Sequence, residues 1–343
     1  MKALTFSQHG TLENIQLSDQ PTPDISPDDV LLEVKAAALN RLDLWVLEGW
    51  PSLKLHLPHI MGSDGAGIIA QVGRNVSDFE VGDHVAVNPT LSCGRCAYCI
   101  SGRDNMCDQM AVLGEHAPGF YCEYQKVPAR NLLKMPDGAS FEDAAAAALV
   151  YVTAWHSLIK RGQFQAGESI LIVGAGGGVN TASIQIAKLA GAGTIYVIGS
   201  TDDKLEQAAE LCADVLINRK QQDWGKAIYK ATHKRGVDVV VDNVGAATYH
   251  TSFRSLKKGG RLITVGNTSG AKFEIDNRLI FGKQISIIGS TMGPKQDFDE
   301  VMGLVFSGRL QPVIDTIYPL TEGLTALHRL RDSEMSGKLV LTP

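Results

Sequence analysis

Four cysteines lie close together in the sequence, at a spacing that could bind one metal ion. Intervals of two, two and seven residues separate Cys93, Cys96, Cys99 and Cys107. Four thiolates can converge on a tetrahedral Zn²⁺, and a site with four protein ligands leaves no position for water or substrate. Two disulfides are the alternative. The spacing predicts one structural zinc ion that braces a protruding loop over residues 92–108.

A second chemical pattern is a glycine-rich turn between a predicted strand, ILIVG (170–174), and a predicted helix. The turn contains Gly174, Gly176, Gly177 and Gly178. Glycines let the backbone approach a diphosphate, which binds at the N-terminus of the following helix. A tight turn without a ligand is the alternative. Because the strand and helix belong to a longer strand–helix series, the turn predicts a dinucleotide cofactor.

The end of the next predicted strand, TIYVIG (194–199), bears on which dinucleotide binds. An NAD site usually has an acidic residue there, which binds the ribose 2′-hydroxyl. This chain has Ser200 instead, followed by Lys204 and Arg219. A basic pair without the acid suits a 2′-phosphate. We therefore expect NADP(H) to be favoured over NAD(H). NAD(H) stays the alternative, because basic residues are common at protein surfaces for other reasons.

The elements that must position these residues change in type along the chain. The first part reads as short strands broken by Gly and Pro, which predicts a β-rich domain of barrel type. From Ile170 onward, β-branched runs alternate with amphipathic helices, which predicts a parallel sheet covered on both faces. The last strand, KLVLT (338–342), is expected to return to the first domain. We predict an α/β protein whose domains span 1–148 with 291–343, and 149–290.

The composition argues against several classes of function. The 343 residues are 44% hydrophobic, carry a formal net charge of −5 and include no basic tract, so a nucleic-acid partner is not expected. Apolar stretches are too short to span a bilayer, and the N-terminal residues lack the apolar core of a signal peptide. We therefore expect a cytoplasmic protein without a membrane partner, in a reducing compartment that favours zinc over disulfides.

On these residues the chain resembles the medium-chain dehydrogenases/reductases, the superfamily of zinc alcohol dehydrogenases and quinone oxidoreductases. The resemblance covers essentially the whole length. It rests on the cysteine loop, the glycine-rich turn, GSDGAG (62–67), VGDHV (81–85), Glu123–Tyr124 and Gly337–Lys338. It implies a GroES-like catalytic domain, a doubly wound Rossmann domain and an active site between them. It also implies a small-molecule substrate and a homodimer or homotetramer, with the strand ISIIGSTM near the pairing edge.

The resemblance also shows a departure from the zinc alcohol dehydrogenases, which hold a second, catalytic zinc. Their Cys and His ligands are replaced here by Asn40 and Ser63, and their third ligand by Leu149. Their proton-relay hydroxyl is replaced by Leu42. Leucine cannot bind a metal, and a Lewis acid is what makes an alcohol ionisable near neutral pH. We therefore expect no catalytic zinc, as in the quinone oxidoreductase and enoyl reductase branch, which often lacks the cysteine loop.

A rebuilt catalytic metal site is an alternative. Its candidate ligands lie in the predicted first domain and are His56, His59, Asp64, Glu115 and His116. Histidines and acids of this kind are also common at surfaces and in hydrogen bonds.

Further site residues are implied by the resemblance. The Asn40 amide is a candidate donor to a substrate carbonyl oxygen, with backbone capping as its alternative, and Asp43 could orient it. Asn180 replaces the third glycine of the cofactor fingerprint, and we expect a looser strand–helix contact there. Arg41 is placed at the cofactor diphosphate, or in a surface ion pair, and Thr153 beside the nicotinamide, or in a helix cap. The expected cofactor residues are Arg41, Thr153, Gly174, Gly176, Gly177, Gly178, Val179, Ser200, Lys204, Arg219, Val244, Val265, Gly266, Ser290 and Lys338.

The leading functional hypothesis is an NAD(P)H-dependent reductase without catalytic zinc. It would transfer hydride to a C=C bond conjugated to a carbonyl, as in an enone, enal or enoyl thioester, or to a quinone. Tyr151, His116 and solvent are candidate proton donors. An alcohol or aldehyde dehydrogenase is the first alternative, favoured by the cysteine loop. A non-catalytic NADPH-binding protein is the second.

Overall fold

The structure is a computed structural model, and it describes residues 1–343. The strands, in chain order, are β1 (Lys2–Phe6), β2 (Ile15–Asp19), β3 (Asp29–Ala38), β4 (His59–Ile60), β5 (Ala66–Val72), β6 (His84–Val87), β7 (Thr90–Leu91), β8 (Ala111–Val112), β9 (Tyr124–Pro128), β10 (Leu132–Lys134), β11 (Ser169–Val173), β12 (Thr194–Gly199), β13 (Val215–Asn218), β14 (Val237–Asp242), β15 (Leu256–Thr264), β16 (Ser286–Gly289), β17 (Ile314–Pro319) and β18 (Lys338–Thr342).

The helices are α1 (Arg41–Glu48), α2 (Ala97–Ile100), α3 (Phe141–Ala148), α4 (Val150–Trp155), α5 (Gly178–Leu189), α6 (Asp202–Glu210), α7 (Trp224–Ala231), α8 (Tyr249–Ser255), α9 (Asn277–Lys283), α10 (Lys295–Phe306) and α11 (Gly323–Asp332). Short 3₁₀ turns cover Leu12–Asn14, Asp104–Met106, Ala129–Asn131 and Leu320–Glu322, and a π-helical segment covers His156–Arg161. A membrane span needs a longer and more apolar helix than any of these.

The chain divides into two compact units. The first unit contains Met1–Val152 and Gly293–Pro343, and the second contains Thr153–Met292. The domain limits predicted from the sequence, 148/149 and 290/291, lie slightly before these divisions, and as functional domain limits they stay a prediction.

The first unit is built mainly on antiparallel strands, and β17 pairs with β18 in parallel. Its largest sheet has the order β10-β6-β5-β3-β18-β17, and β9 also pairs with β3. Val340 and Leu341 of β18 lie opposite Ala38 and Ala37 of β3, so the last strand of the chain completes the sheet begun near the N-terminus. This pairing brings residues from both ends of the chain close to the N-terminal end of α1.

The second unit is a parallel sheet with helices between its strands. The order β13-β12-β11-β14-β15-β16 is that of a Rossmann fold, which confirms the predicted doubly wound class. β12 and β14 are buried runs of β-branched residues because both faces of a parallel sheet are covered. β15 begins at Leu256, which lies opposite Val237 before an irregularity in the ladder.

Candidate functional site

The four cysteines of the loop converge on one point. Their Sγ atoms all lie within 4.8 Å of one another. The Cys93–Cys99 and Cys96–Cys99 separations are 3.9 and 3.5 Å. A zinc ion bound tetrahedrally at 2.3 Å holds sulfurs about 3.8 Å apart. All six cysteines of the chain are free thiols, so the disulfide alternative is not realised. The sulfur positions therefore fit a structural Zn²⁺.

Backbone N–H groups around the cluster stabilise negative charge on sulfur. The N–H groups of Arg95 and Cys96 lower the pKa of Cys93 to about 6. The Gln109 N–H donates to Cys107 Sγ at 3.3 Å, and Cys107 itself is buried. Zinc binds thiolate rather than thiol, so this backbone favours the ligand form.

A buried polar centre occupies the first unit where β3 ends and α1 begins. The side-chain amide of Asn40 donates hydrogen bonds to Asp64 Oδ2 at 2.8 Å and to the Ala38 carbonyl at 3.3 Å. The Lys338 ammonium donates to Asn40 Oδ1 at 2.6 Å and to Asp64 Oδ2 at 3.0 Å. Its third hydrogen goes to the Leu39 carbonyl at 2.6 Å. Both amide hydrogens and all three ammonium hydrogens are thus donated to protein acceptors.

A second carboxylate lies against the other side of Asn40. Asp43 Oδ2 accepts hydrogen bonds from the Asn40 backbone N–H at 2.7 Å and from the Tyr121 hydroxyl at 2.6 Å. The Tyr121 ring lies so close to Gly62 that a Cβ there would come within 2.3 Å of it. Only glycine at this position, which has φ +96°, allows the ring to reach Asp43.

Burial controls the electrostatics of this centre. Loss of solvent raises the pKa of Asp43 to about 7, although Tyr121 and the Asn40 N–H oppose the shift. Burial also raises the pKa of Asp64, and the Lys338 ammonium counteracts it. The pKa of Tyr121 lies well above its ordinary value because burial and the nearby Asp43 carboxyl disfavour a phenolate. The Tyr121 proton therefore stays on its oxygen, where it donates to Asp43.

These residues do not form the donor set of a catalytic zinc. At the three positions where the resemblance implies catalytic-zinc ligands, the side chains are an amide, a hydroxyl and a hydrocarbon, from Asn40, Ser63 and Leu149. The amide oxygen of Asn40 is bonded to an ammonium, and Leu149 has no donor atom in its side chain. Asp64 is bonded to the same ammonium. The alternative ligands are not gathered either: His59 Nε2 lies 3.0 Å from the Gly114 carbonyl, and the cysteine loop is the cluster with metal-binding spacing.

The glycine-rich turn of the second unit leads from β11 into α5. Gly177 is the N-cap, and α5 starts at Gly178. A helix start presents N–H groups without intrahelical partners and a partial positive charge, which together suit a phosphate. Gly174 has φ +117°, which requires glycine.

Two further predicted cofactor residues of the second unit have hydroxyls without partners. Thr153 Oγ1 and Ser290 Oγ are buried and make no hydrogen bond. A buried hydroxyl without a partner costs free energy unless a ligand satisfies it. Together with the glycine turn, these atoms fit a bound nicotinamide dinucleotide.

Comparison with known proteins identifies the family. Residues 26–137 match the alcohol dehydrogenase GroES-like domain, and residues 178–307 match the zinc-binding dehydrogenase domain. An alcohol dehydrogenase of Geobacillus stearothermophilus is 31% identical over 99% of each chain. An acryloyl-coenzyme A reductase of Sulfurisphaera tokodaii is 30% identical over the whole of both chains. A crystal structure of an NAD-dependent alcohol dehydrogenase has a TM-score of 0.96 and 39% identity, with both chains fully covered.

The chain is a medium-chain dehydrogenase/reductase. It is an NAD(P)-dependent oxidoreductase of the zinc-type alcohol dehydrogenase superfamily, as the resemblance predicted. Its GroES-like and Rossmann parts are confirmed with it. The relatives include both alcohol dehydrogenases and acryloyl-coenzyme A reductases, so membership alone leaves the reaction open.

Within this dehydrogenase, several predicted residues have contacts that change their expected roles. The Asn40 amide was expected to donate to a substrate, but its hydrogens go to Asp64 and Ala38. Cofactor binding by Lys338 would require its buried hydrogen bonds to be released. The Arg41 guanidinium donates to the Arg331 carbonyl and to Ser333 Oγ, and its contact with the cofactor diphosphate stays a prediction.

The residues expected to contact the 2′-hydroxyl or 2′-phosphate of the cofactor ribose lie after β12 and β13. Asp202, the first acid after β12, accepts hydrogen bonds from Asn218 at 2.7 Å and from Gln221. Arg219 follows β13 and is exposed, and its backbone N–H donates to the Gly199 carbonyl. The first acid after β12 is thus already bonded within the protein.

Sequence reasoning missed two side chains of these regions. Tyr121 bonds Asp43 across 78 positions of sequence, and no local pattern marks it. Asp242 is fully buried at the end of β14 and accepts hydrogen bonds from the Thr248 and Ser252 hydroxyls. The signal for Asp242 was available, because an acid that ends a buried parallel strand lies at the ligand-binding edge of a Rossmann sheet.

Proposed function

We propose that this protein is an NAD(P)H-dependent reductase of C=C bonds conjugated to a carbonyl, or of quinones, without a catalytic zinc. The observation that carries the proposal is the Lys338 ammonium, which bonds Asn40 and Asp64 where a metal centre would be expected. Without a Lewis acid, formation of an alkoxide from an alcohol lacks its usual stabilisation. Reduction of an activated C=C bond needs hydride at the β-carbon, hydrogen bonds that stabilise the charge on the carbonyl oxygen, and a proton at the α-carbon, which His116 or solvent would supply.

In this proposal some residues of the chain position other side chains, and one residue donates a hydrogen bond to the substrate or cofactor. When bound, the nicotinamide supplies the hydride that the β-carbon accepts. Thr153 is the predicted catalytic residue whose hydroxyl is buried and unpartnered, so it is free to donate to a substrate or cofactor oxygen. Asn40 and Asp43 act as positioning residues, because the Asp43 carboxyl holds the Asn40 backbone and the Asn40 side chain holds Lys338. Tyr151 is an unsuited proton donor, since its buried hydroxyl donates to the Gln311 carbonyl.

The remaining cofactor contacts are proposed at the carboxyl ends of the second unit's strands. The phosphates would lie on Gly174 to Val179, and the nicotinamide near Val244, Val265, Gly266 and Ser290. NADP(H) is favoured over NAD(H) because Ser200, Lys204 and Arg219 follow β12 and β13 and Asp202 is bonded to Asn218. The structural neighbour that is NAD-dependent keeps NAD(H) as the alternative.

One assay tests the proposed reaction. Oxidation of NADPH and NADH would be followed against acryloyl thioesters, enones, enals and quinones, beside oxidation of primary and secondary alcohols. We expect turnover of the conjugated compounds at a rate unchanged by added Zn²⁺. Alcohol oxidation that is abolished by a chelator and restored by Zn²⁺, with the structural zinc retained throughout, would overturn the proposal.

An alcohol dehydrogenase is the second candidate, and one specific observation favours it. Proteins named alcohol dehydrogenases are 31% and 39% identical to this chain over nearly its whole length. The same assay separates the two candidates. Absence of turnover with every compound, together with intact cofactor binding, would instead support a non-catalytic NADPH-binding protein.

We also propose that the cysteine cluster binds one structural zinc and that the protein is a cytoplasmic homo-oligomer. β16 is the last strand of its sheet, and Ile287 on it is 44% exposed, which suits pairing with a second copy. Ile287→Lys should then lower the molar mass measured by light scattering. Free thiols at all six cysteines suit a reducing compartment, which cell fractionation would test.

A further inference from the structure

A chain of amide hydrogen bonds crosses the carboxyl ends of three neighbouring strands in the second unit. It starts at the Val265 N–H, just after β15, which donates to Asn243 Oδ1 at 3.2 Å. Asn243, just after β14, then donates from Nδ2 to Asn180 Oδ1 at 3.2 Å. Asn180, in the first turn of α5, donates from Nδ2 to the Val173 carbonyl at the end of β11, at 3.3 Å. The strands β11, β14 and β15 are adjacent in the sheet.

The groups at the two ends of this series of hydrogen bonds fix the donor and the acceptor of each bond in it. A backbone N–H can only donate and a carbonyl can only accept, so each amide has one orientation that satisfies both of its neighbours. Asn180 and Asn243 are 63 positions apart in the sequence, so only the fold brings the two amides together.

The Asn180 side chain also fills the space beneath the glycine turn. A Cβ placed on Gly174 would lie 2.3 Å from Asn180 Nδ2, and one on Gly177 would lie 3.6 Å from it. Asn180 stands where the dinucleotide-binding fingerprint has its third glycine, whose usual role is close helix–strand packing. The contact between strand and helix, which was expected to be looser, is therefore filled by the Asn180 amide, which bonds the strand.

We propose that Asn180 and Asn243 form a coupled pair of positioning residues, which holds the phosphate-binding turn in register with the loops after β14 and β15. The proposal rests on the proposed cofactor site and goes beyond it by assigning the geometry of the turn to two side chains that do not themselves contact the reacting atoms. The pair holds the phosphate end and the nicotinamide end of the site at one fixed separation. Loss of either amide releases the turn, so loss of the second adds little.

A double-mutant cycle tests the pair. Asn180→Ala, Asn243→Ala and the double variant would be titrated with NADPH, NADH and adenosine, and their thermal unfolding recorded. We expect each single variant to weaken both dinucleotides about three- to tenfold, the worth of one hydrogen bond. The double variant should bind no more than about twofold worse than either single variant. Adenosine has no diphosphate, so its affinity should stay unchanged, whereas a merely structural loss would weaken it equally.

Two further variants keep the test decisive. Asn243→Asp has the same size and retains the acceptor for Val265 but cannot donate to Asn180, so it should reproduce the loss if an alanine variant fails to fold. Asn277→Ala, at the exposed start of α9, is the matched control and should bind dinucleotides as the wild type does.

The outcomes separate this proposal from the proposed function. Wild-type dinucleotide affinity in the folded single variants, or fully additive losses in the double variant, would overturn the coupled pair and leave the cofactor site standing. A wild-type protein that binds neither dinucleotide would overturn the cofactor site and the pair together.

Discussion

The Lys338 ammonium lies 2.6 Å from the side-chain oxygen of Asn40, although 298 positions of sequence separate the two residues. The same ammonium bonds Asp64 at 3.0 Å, and both charged side chains are buried. A buried cation and carboxylate stabilise each other, and removing one leaves the other charge without compensation. This contact therefore predicts a large cost for changing either residue alone.

Lys338→Met should lower the free energy of unfolding by about 3–5 kcal/mol, because Asp64 would lose its buried cation. Urea unfolding at pH 7 measures this change. Lys2→Met is the matched control, since Lys2 pairs with Asp19 at the exposed surface, and it should change the free energy of unfolding far less. Adding Asp64→Asn to Lys338→Met should regain part of the loss. Equal, small changes for Lys338 and Lys2 would show that the buried pair contributes nothing to stability.

Asp43 predicts a distinct pH dependence. Its pKa is about 7 in the folded protein, above the ordinary value of 3.8, because it is buried. Between these values the folded state holds a proton that the unfolded state has released, so this contribution to stability is complete below pH 3.8 and is lost as pH rises through 7. Asp43→Asn removes the titration. The stability of the wild type relative to this variant should fall by up to about 1.4 kcal/mol for each pH unit in that window.

Urea unfolding at intervals from about pH 4.5 to 8 measures this difference. Asp137→Asn, at an exposed aspartate, serves as the control and should leave the pH profile of the wild type unchanged. A difference between wild type and Asp43→Asn that does not vary with pH would show that Asp43 is ionised throughout.

The cysteine cluster predicts one zinc ion per chain. Cys107→Ser replaces a buried sulfur ligand, so the purified variant should lose its zinc and unfold at a lower temperature. Elemental analysis and thermal unfolding check the two effects. Cys122→Ser is the control, because Cys122 is equally buried but bonds the Gly119 and Tyr124 carbonyls outside the cluster. Full zinc content in the Cys107 variant, or two zinc ions in the wild type, would contradict the assignment.

The basic residues after β12 and β13 predict a cofactor preference. Lys204→Ala combined with Arg219→Ala should weaken NADPH at least about tenfold, because charge-assisted bonds to a 2′-phosphate are lost. NADH lacks that phosphate and should weaken less than about threefold. Fluorescence titration of both dinucleotides gives the ratio, with Lys226→Ala as a surface control on α7. Equal losses for NADPH and NADH would remove these two residues from the 2′-phosphate site.

Local patterns predicted the elements of the second unit well. The predicted range of TIYVIG coincides with β12, since a strand buried on both faces must be a run of apolar residues. The cysteine cluster was also predictable, because ligands within one short loop need only local turns to converge. The glycine turn was predictable for the same reason, as its strand, turn and helix are contiguous.

The sequence by itself therefore determined the fold class, the superfamily and the sulfur cluster. Only the tertiary structure decided which polar atoms are already bonded. β18 pairs with β3 and carries Lys338 to Asn40, where the ammonium donates a hydrogen bond to the amide oxygen. The Rossmann strand order likewise brings Asn243 to Asn180. The physical reason is that a hydrogen bond depends on where its partner lies in space. The distance between two residues along the sequence does not show whether they lie close together in the fold.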